Sequence, residues 1–81
     1  MNYVYILKSI EYPKTYVGST TDIARRMKEH KSGKTEFSKK YKPWMLIYKE
    51  EFLNILEARK REKYFKSAAG RRFIKRILGK N

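Results

Sequence analysis

Aromatic and β-branched residues near the start of the chain predict two β-strands. Residues 3–7, Tyr-Val-Tyr-Ile-Leu, form one such run, and residues 15–18 form another after a turn signal at residues 12–14. Because side chains alternate between the two faces of a strand, Tyr5 and Leu7 share one face. The pattern therefore predicts a β-hairpin with a short loop.

Capping residues and helical spacing predict a first helix directly after the hairpin. Residues 19–22 offer N-cap hydroxyls and a first-turn carboxylate, and the pattern continues to His30 or Lys31 before Gly33 closes it. Residues 34–43 are polar, so we expect a loop there that contains no more than a short helical turn.

The second half of the chain predicts one more strand and two more helices. Residues 44–48 are the third strand candidate, and Asn54 caps a predicted helix over residues 55–66. Gly70 is expected to interrupt the chain before a last helix over residues 71–78, whose apolar residues follow helical spacing.

The resulting element order, β-β-α-β-α-α, predicts an α/β fold in which a small three-stranded antiparallel sheet is flanked by helices. The first two strands are too close in sequence for a parallel crossover. With 81 residues the chain has length for one hydrophobic core, so residues 1–81 are expected to form a single domain.

The positive charge of the chain indicates what kind of binding partner to expect. Lysine and arginine outnumber acidic residues by 21 to 8, and the net charge is +13. Residues 59–81 alone hold ten basic residues and one acid. Such a field attracts polyanions, and we expect nucleic acid as the partner. An anionic membrane surface is the weaker alternative, because the last helix is both basic and amphipathic.

Several classes of protein are excluded by what the sequence lacks. There is no cysteine, which rules out disulfides and thiolate metal sites. No apolar run approaches the ~18 residues of a membrane span, and the first residues lack signal-peptide features. The expectation is a cytoplasmic protein without a membrane anchor.

Two polar residues fall on the core-facing stripe of the first helix. At 100° per residue, Arg26 and His30 lie beside the apolar positions, whereas Arg25, Lys28 and Glu29 fall on the far, solvated side. An arginine stem covering the core edge and a histidine at a helix C-terminus are the ordinary explanations. Together, one turn apart, they indicate a polar site at the edge of the sheet.

Glu62 is the one acid among residues 59–81, and it lies inside the apolar stripe of its helix. Burying an ionised carboxylate is costly unless a cation or hydrogen bonds compensate. One interpretation is an ion pair with Arg59 or Lys66. The other is a hard metal ion that also binds a substrate phosphate and water. Glu57, by contrast, is expected on the surface.

These positions resemble a known family. Residues 3–5 and 16–18, Tyr-Val-Tyr and Tyr-Val-Gly, resemble the two short motifs that name the GIY-YIG nucleases. Arg26, His30 and Glu62 follow in the order and at the spacing of that family. The layout is particularly similar to small stand-alone members related to the nuclease domain at the N-terminus of the excision-repair protein UvrC.

The resemblance implies an endonuclease that hydrolyses DNA phosphodiester bonds with one divalent ion, Mg²⁺ or Mn²⁺, in DNA repair or recombination. It implies that Tyr5 and Tyr16 line the reacting centre, that Arg26 binds phosphate and that Glu62 holds the metal. His30 falls where relatives carry a tyrosine or histidine that helps to activate water. A tyrosine can act as a base if nearby cations lower its pKa, as Arg26 and a metal ion would do for Tyr5. His30 is the competing base, and the choice stays open.

Two departures from the family pattern affect the surroundings of the site. Tyr3 replaces the glycine of the first motif, and Ser19 stands where UvrC-like relatives have a lysine. Neither removes a metal or phosphate ligand. Sequence-independent phosphate contacts are expected from the basic residues that follow, namely Lys66, Arg71, Arg72, Lys75 and Arg76.

Other functions fit the same residues. A non-catalytic DNA- or RNA-binding module would stack its tyrosines on bases and use Glu62 in a structural ion pair. A peripheral membrane protein would use the terminal amphipathic helix. We expect DNA as the partner, with RNA as the alternative, no small-molecule cofactor, and a monomer or weak dimer.

Overall fold

The chain folds into a three-stranded antiparallel sheet with helices against both faces, as seen in a computed structural model that describes residues 1–79. The predicted α/β class and element order are confirmed, with one short helix added. The elements are β1 (Asn2–Ser9), β2 (Thr15–Thr20), α1 (Ile23–Ser32), α2 (Glu36–Lys40), β3 (Trp44–Phe52), α3 (Ile55–Phe65) and α4 (Ala68–Leu78).

The strand order is β2-β1-β3, so β1 lies in the centre and β2 is an edge strand. Along β1, Tyr5 pairs with Gly18 of β2 on one side and with Lys49 of β3 on the other. β1 is the most buried strand because neighbours on both sides and helices above and below exclude water from it.

The alternation of β1 residues divides the core into two layers. Val4 and Ile6 pack with Ala58 and Phe65 of α3 and with Ile74 of α4. The opposite face carries a second cluster around Tyr5, Leu7 and Trp44, against which residues of α1 and β2 pack. Because β2 is the outermost strand on its side, side chains from both layers can meet around its edge.

The short helix α2 occupies the segment expected to be mostly loop. Thr35 is its N-cap and forms a capping box with Ser38, whose hydroxyl accepts from the Thr35 backbone. Trp44 donates its indole N–H to the Ser38 carbonyl at 2.9 Å. These bonds fix α2 against the start of β3.

Two predicted boundaries were wrong. The third strand continues to Phe52, well past residue 48. Gly70 does not interrupt the chain, because it lies within α4, which starts after the N-cap Ser67. A Cβ on Gly70 would overlap the Cα of Phe65, so glycine permits close contact between α3 and α4. None of the helices among residues 1–79 is long and apolar enough to span a membrane.

Candidate active site

Tyr5 reaches the edge of the sheet across the bare backbone of Gly18. Its side chain is almost fully buried, at 2% exposure. A Cβ on Gly18 would lie 2.5 Å from the Tyr5 hydroxyl oxygen and 3.0 Å from the Tyr16 ring. The absence of a side chain at this position therefore lets the two tyrosine rings stack, with centroids 6.2 Å apart.

The last turn of α1 brings His30 onto the same tyrosines. His30 is buried, and its Nε2 lies 3.1 Å from the Tyr5 hydroxyl oxygen. Its ring centroid lies 4.7 Å from that of Tyr16. The family resemblance implies that these three residues share one site, and the fold brings them together.

The pKa values of Tyr5 and His30 are shifted in opposite directions. Burial raises the pKa of Tyr5 far above its ordinary value, the Tyr16, Glu62 and Glu29 charges add to this, and Arg26 opposes it in part. Arg26 thus acts on the pKa of Tyr5 in the expected direction, but among the protein's own residues burial outweighs it. Burial, followed by the charge of Arg26, lowers the pKa of His30. At neutral pH, Tyr5 is protonated and His30 is neutral, so the Tyr5 hydroxyl can donate to Nε2.

Arg26 lies at the same edge and pairs with Glu29, which the helical projection predicts on the solvated side of α1. Its Nη1 lies 3.5 Å from Glu29 Oε1. Glu29 also binds Lys34 at 3.0 Å and approaches Arg25 at 3.8 Å. Glu29 was expected on a solvated face, but it is half-buried because it lies between these cations. The sequence could have predicted these ion pairs, since Glu29 follows Arg25 and Arg26 at spacings i+4 and i+3.

Glu62 approaches the edge of β2 from the other layer. Its Oε1 accepts a hydrogen bond from the Ser19 hydroxyl at 2.7 Å, and its Oε2 accepts one from Lys66 Nζ at 2.8 Å. Burial alone would raise the pKa of Glu62, but the bonds from Lys66 and Ser19 and the nearby positive charges outweigh it and lower the pKa. The structure therefore contains the ion pair with Lys66, which the sequence offers as one interpretation of Glu62. The hydrogen bond from Ser19 also positions the carboxylate.

Glu62 is the candidate metal ligand of this site. Within residues 1–79, no group of three or more histidine, aspartate or glutamate side chains lies close enough to hold a metal ion. A multi-ligand protein cage is therefore absent from the described part of the chain. A single ionised carboxylate suits a hard cation that takes its other ligands from water and phosphate oxygens.

The predicted DNA-binding residues divide into two groups. Lys66 and Arg71 line a cavity beside β2 together with Tyr16, so they adjoin the site. Lys75, one turn after Arg71, lines a second cavity that adjoins the first. Arg72 and Arg76 are exposed and lie roughly 100° further around α4, away from these two residues.

Comparisons with known proteins agree with the geometry. Residues 1–75 match the family model of the GIY-YIG catalytic domain. The chain is similar to a UPF0213 protein of Clostridium perfringens, with 35% identity over 100% of this chain and 87% of that protein. It is also similar to a UPF0213 protein of Staphylococcus haemolyticus, with 34% identity over 94% of this chain and 93% of that protein. No solved structure gives a significant match.

Proposed function

This chain belongs to the GIY-YIG catalytic-domain family, and from that premise we propose that it is a divalent-metal-dependent endonuclease that hydrolyses DNA phosphodiester bonds. As part of the same proposal, we place its activity in DNA repair or recombination. One observation carries the enzymatic proposal. The Tyr5 hydroxyl lies beside Gly18 of β2 and 3.1 Å from Nε2 of His30, and Glu62 accepts a hydrogen bond from Ser19, the next residue of the same strand.

Hydrolysis needs a group that takes a proton from water. Tyr5 cannot easily ionise, because its pKa is raised, but it can relay a proton. In this mechanism, Tyr5 accepts a proton from the attacking water while its own hydroxyl proton passes to Nε2 of neutral His30. The phenol is thereby never left as a free anion. This assigns proton transfer to the Tyr5–His30 pair and the final proton to His30.

Attack on phosphorus builds negative charge on the non-bridging and leaving oxygens. Arg26 provides a guanidinium that can bind the non-bridging oxygens through two parallel hydrogen bonds. Glu62 would hold Mg²⁺ or Mn²⁺, which would supply Lewis-acid stabilisation of the leaving oxygen. The surroundings of Glu62 fit this role, because it is ionised, half-buried and held by Ser19, while the side chain of Lys66 is 57% exposed and free to move aside.

The alternative is a non-catalytic DNA- or RNA-binding module. The observation that favours it is the ion pair between Glu62 and Lys66, which already gives the carboxylate a structural partner. In that case Tyr16 and its neighbours would contact bases, and Glu62 would take no part in chemistry.

A nicking assay separates the two candidates. Plain, branched and single-stranded DNA are incubated with Mg²⁺ or Mn²⁺, and wild type is compared with Glu62→Gln and Arg26→Ala. Each variant should lose about 100-fold or more in rate, as expected for removing a group that stabilises transition-state charge. Glu57→Gln is the matched control, since Glu57 is an exposed acid on the same helix.

Two outcomes would count against the proposal at different levels. If wild type binds DNA and cuts no substrate with either metal, the protein is a binding module. If Glu62→Gln cuts as fast as Glu57→Gln, the enzyme stands and the metal ligand is another residue.

A further inference from the structure

Two adjoining cavities lie at the edge of β2, one beside the candidate active site and the other at the turn between β1 and β2. Thr15 and Arg71 line both the cavity beside Tyr16 and a second cavity of about 660 Å³, so the two cavities adjoin. We call the second cavity the edge groove. Its apolar residues are Pro13, Phe37, Ile74 and Leu78, and its basic residues are Lys8, Lys14, Arg71 and Lys75.

The charge of the edge groove is uncompensated. No acidic residue lines it. Lys14, Arg71 and Lys75 form no ion pair with any residue that the structure describes. Lys8 differs, because its ammonium donates to the backbone carbonyls of Ser9 and Tyr12. Three cations around an apolar surface favour a ligand that carries both negative charge and flat apolar groups.

Phe37 is the aromatic member of the edge groove. It is 39% exposed although it contacts two other aromatic side chains. Its ring stacks on Trp44 at 5.6 Å between centroids and meets Tyr41 edge-on at 5.0 Å. A partly exposed ring fixed from behind is a platform on which a nucleobase can stack with little loss of side-chain entropy.

We propose that the edge groove binds unpaired nucleotides of the DNA strand that continues from the cleaved phosphate. A base stacks on Phe37, and the adjoining phosphates contact Lys14, Arg71 and Lys75. This inference rests on the proposed nuclease function and names its substrate class: DNA with an unpaired strand next to the cut. A base inside a duplex is stacked on both faces, so it cannot present a face to Phe37 in a groove between α2 and α4.

The test measures binding without cleavage. Fluorescence anisotropy in the presence of a chelator compares labelled single-stranded DNA of about 12 nucleotides with a blunt duplex of the same sequence. Phe37→Leu should weaken single-strand binding about tenfold and change duplex binding less than twofold. The exposed Leu56, changed to Ala, is the control for loss of an apolar side chain elsewhere.

The cations give a second readout that does not depend on Phe37 packing. Lys75→Gln should reduce the slope of log affinity against log salt for single-stranded DNA by about 0.7, the value for one lost phosphate contact. Lys60→Gln, an exposed lysine of α3 that lines a different cavity, should leave the slope unchanged.

Three results would overturn the proposal. These are equal effects of Phe37→Leu on single strand and duplex, equal slopes for the two lysine variants, and tighter binding of single-stranded RNA than of DNA. If Phe37→Leu fails to fold, Lys14→Gln takes its place in the comparison of single strand with duplex. Because the assay contains no divalent metal, a protein that never cuts DNA can still show or fail to show this binding, so the two proposals fail separately.

Discussion

The hydroxyl oxygen of Tyr5 lies 3.1 Å from Nε2 of His30, although 25 positions separate the two residues in the sequence. Each residue is a possible general base when considered alone. In contact, they form one unit in which a protonated phenol faces a neutral imidazole, because burial raises the pKa of Tyr5 and lowers that of His30. We therefore expect protonation of His30 to lower the stability of the protein and, under the proposed mechanism, the rate of cleavage.

Stability should fall on mild acidification, and His30 should be the cause. The pKa of His30 is lower in the folded protein than its unfolded value of about 6.5, so the unfolded state binds more protons at mildly acidic pH. The free energy of unfolding should begin to fall as the pH drops through about 6.5 and level off below the folded pKa. His30 is the only histidine of the chain. Urea denaturation at pH 7.5, 6.5 and 5.5 (roughly spanning the window) measures this.

His30→Gln is the control for this dependence. Glutamine keeps a hydrogen-bonding partner for Tyr5 but does not titrate. The carboxylates with lowered pKa values, Glu29 and Glu62, lose their contribution only below their ordinary range, so they do not obscure the window. A variant that keeps the wild-type slope between those pH values would show that His30 is not responsible.

Gly18→Ala should damage both stability and activity through Tyr5. The new methyl group would lie 2.5 Å from the Tyr5 hydroxyl oxygen and 2.7 Å from its Cζ, so the buried ring must move. We expect a loss of about 1–3 kcal/mol in the free energy of unfolding, as for other overpacked sites. Thermal and urea denaturation measure the first effect, and the nicking rate measures the second.

A double-mutant cycle with Tyr5→Phe tests the cause. Removing the hydroxyl removes the nearest clashing atom, while Cζ remains. Gly18→Ala should therefore lower the free energy of unfolding in the Tyr5→Phe background too, but by less than in wild type. Costs that simply add would mean that the methyl group acts through a different neighbour.

The positions of His30 and Glu62 could be predicted from helical periodicity. Each lies in a helix with recognisable caps, and a stripe of apolar residues then specifies which polar side chains face inward. His30 is buried and Glu62 is half-buried at the edge of β2, as expected. Their contacts with Tyr5 and Ser19 depend on strand order and register, which local patterns do not determine.

The predicted end of the third strand and the predicted break at Gly70 are wrong because contacts with residues far away in the sequence determine the structure there. The apolar run over residues 44–48 predicts the third strand, and Lys49, Glu50 and Glu51 follow that run. Glu50 nevertheless lies in the strand, since its carboxylate binds Arg61 of α3 at 2.7 Å. Gly70 was interpreted as a helix break, whereas its role is close contact between two helices.

Removing the charge of Glu29 should strengthen DNA binding while slowing cleavage. Glu29 pairs with Arg25, Arg26 and Lys34 in the free protein, so its one negative charge offsets part of their positive charge. In Glu29→Gln, these cations become available to phosphates, so the slope of log affinity against log salt should steepen by about one. Arg26 also loses the partner that orients it, so the nicking rate at saturating DNA should fall. Glu57→Gln makes the same charge change at an exposed site. Equal effects of the two variants would show that net charge, and not the pairing of Glu29 with its neighbours, causes the change.

Lys66→Gln should tighten metal binding in the absence of DNA. Lys66 Nζ lies 2.8 Å from Glu62 Oε2, so the ammonium would compete with the proposed metal ion for the same carboxylate oxygen. Loss of the ammonium raises the pKa of Glu62 toward its ordinary value, but the group stays ionised at neutral pH, and removal of the competitor dominates. Mn²⁺ titration followed by the EPR signal of the free ion should show a severalfold higher affinity, while DNA affinity falls. Lys63→Gln removes the same charge from an exposed site on α3, and an equal gain there would show that Lys66 does not occupy the metal position.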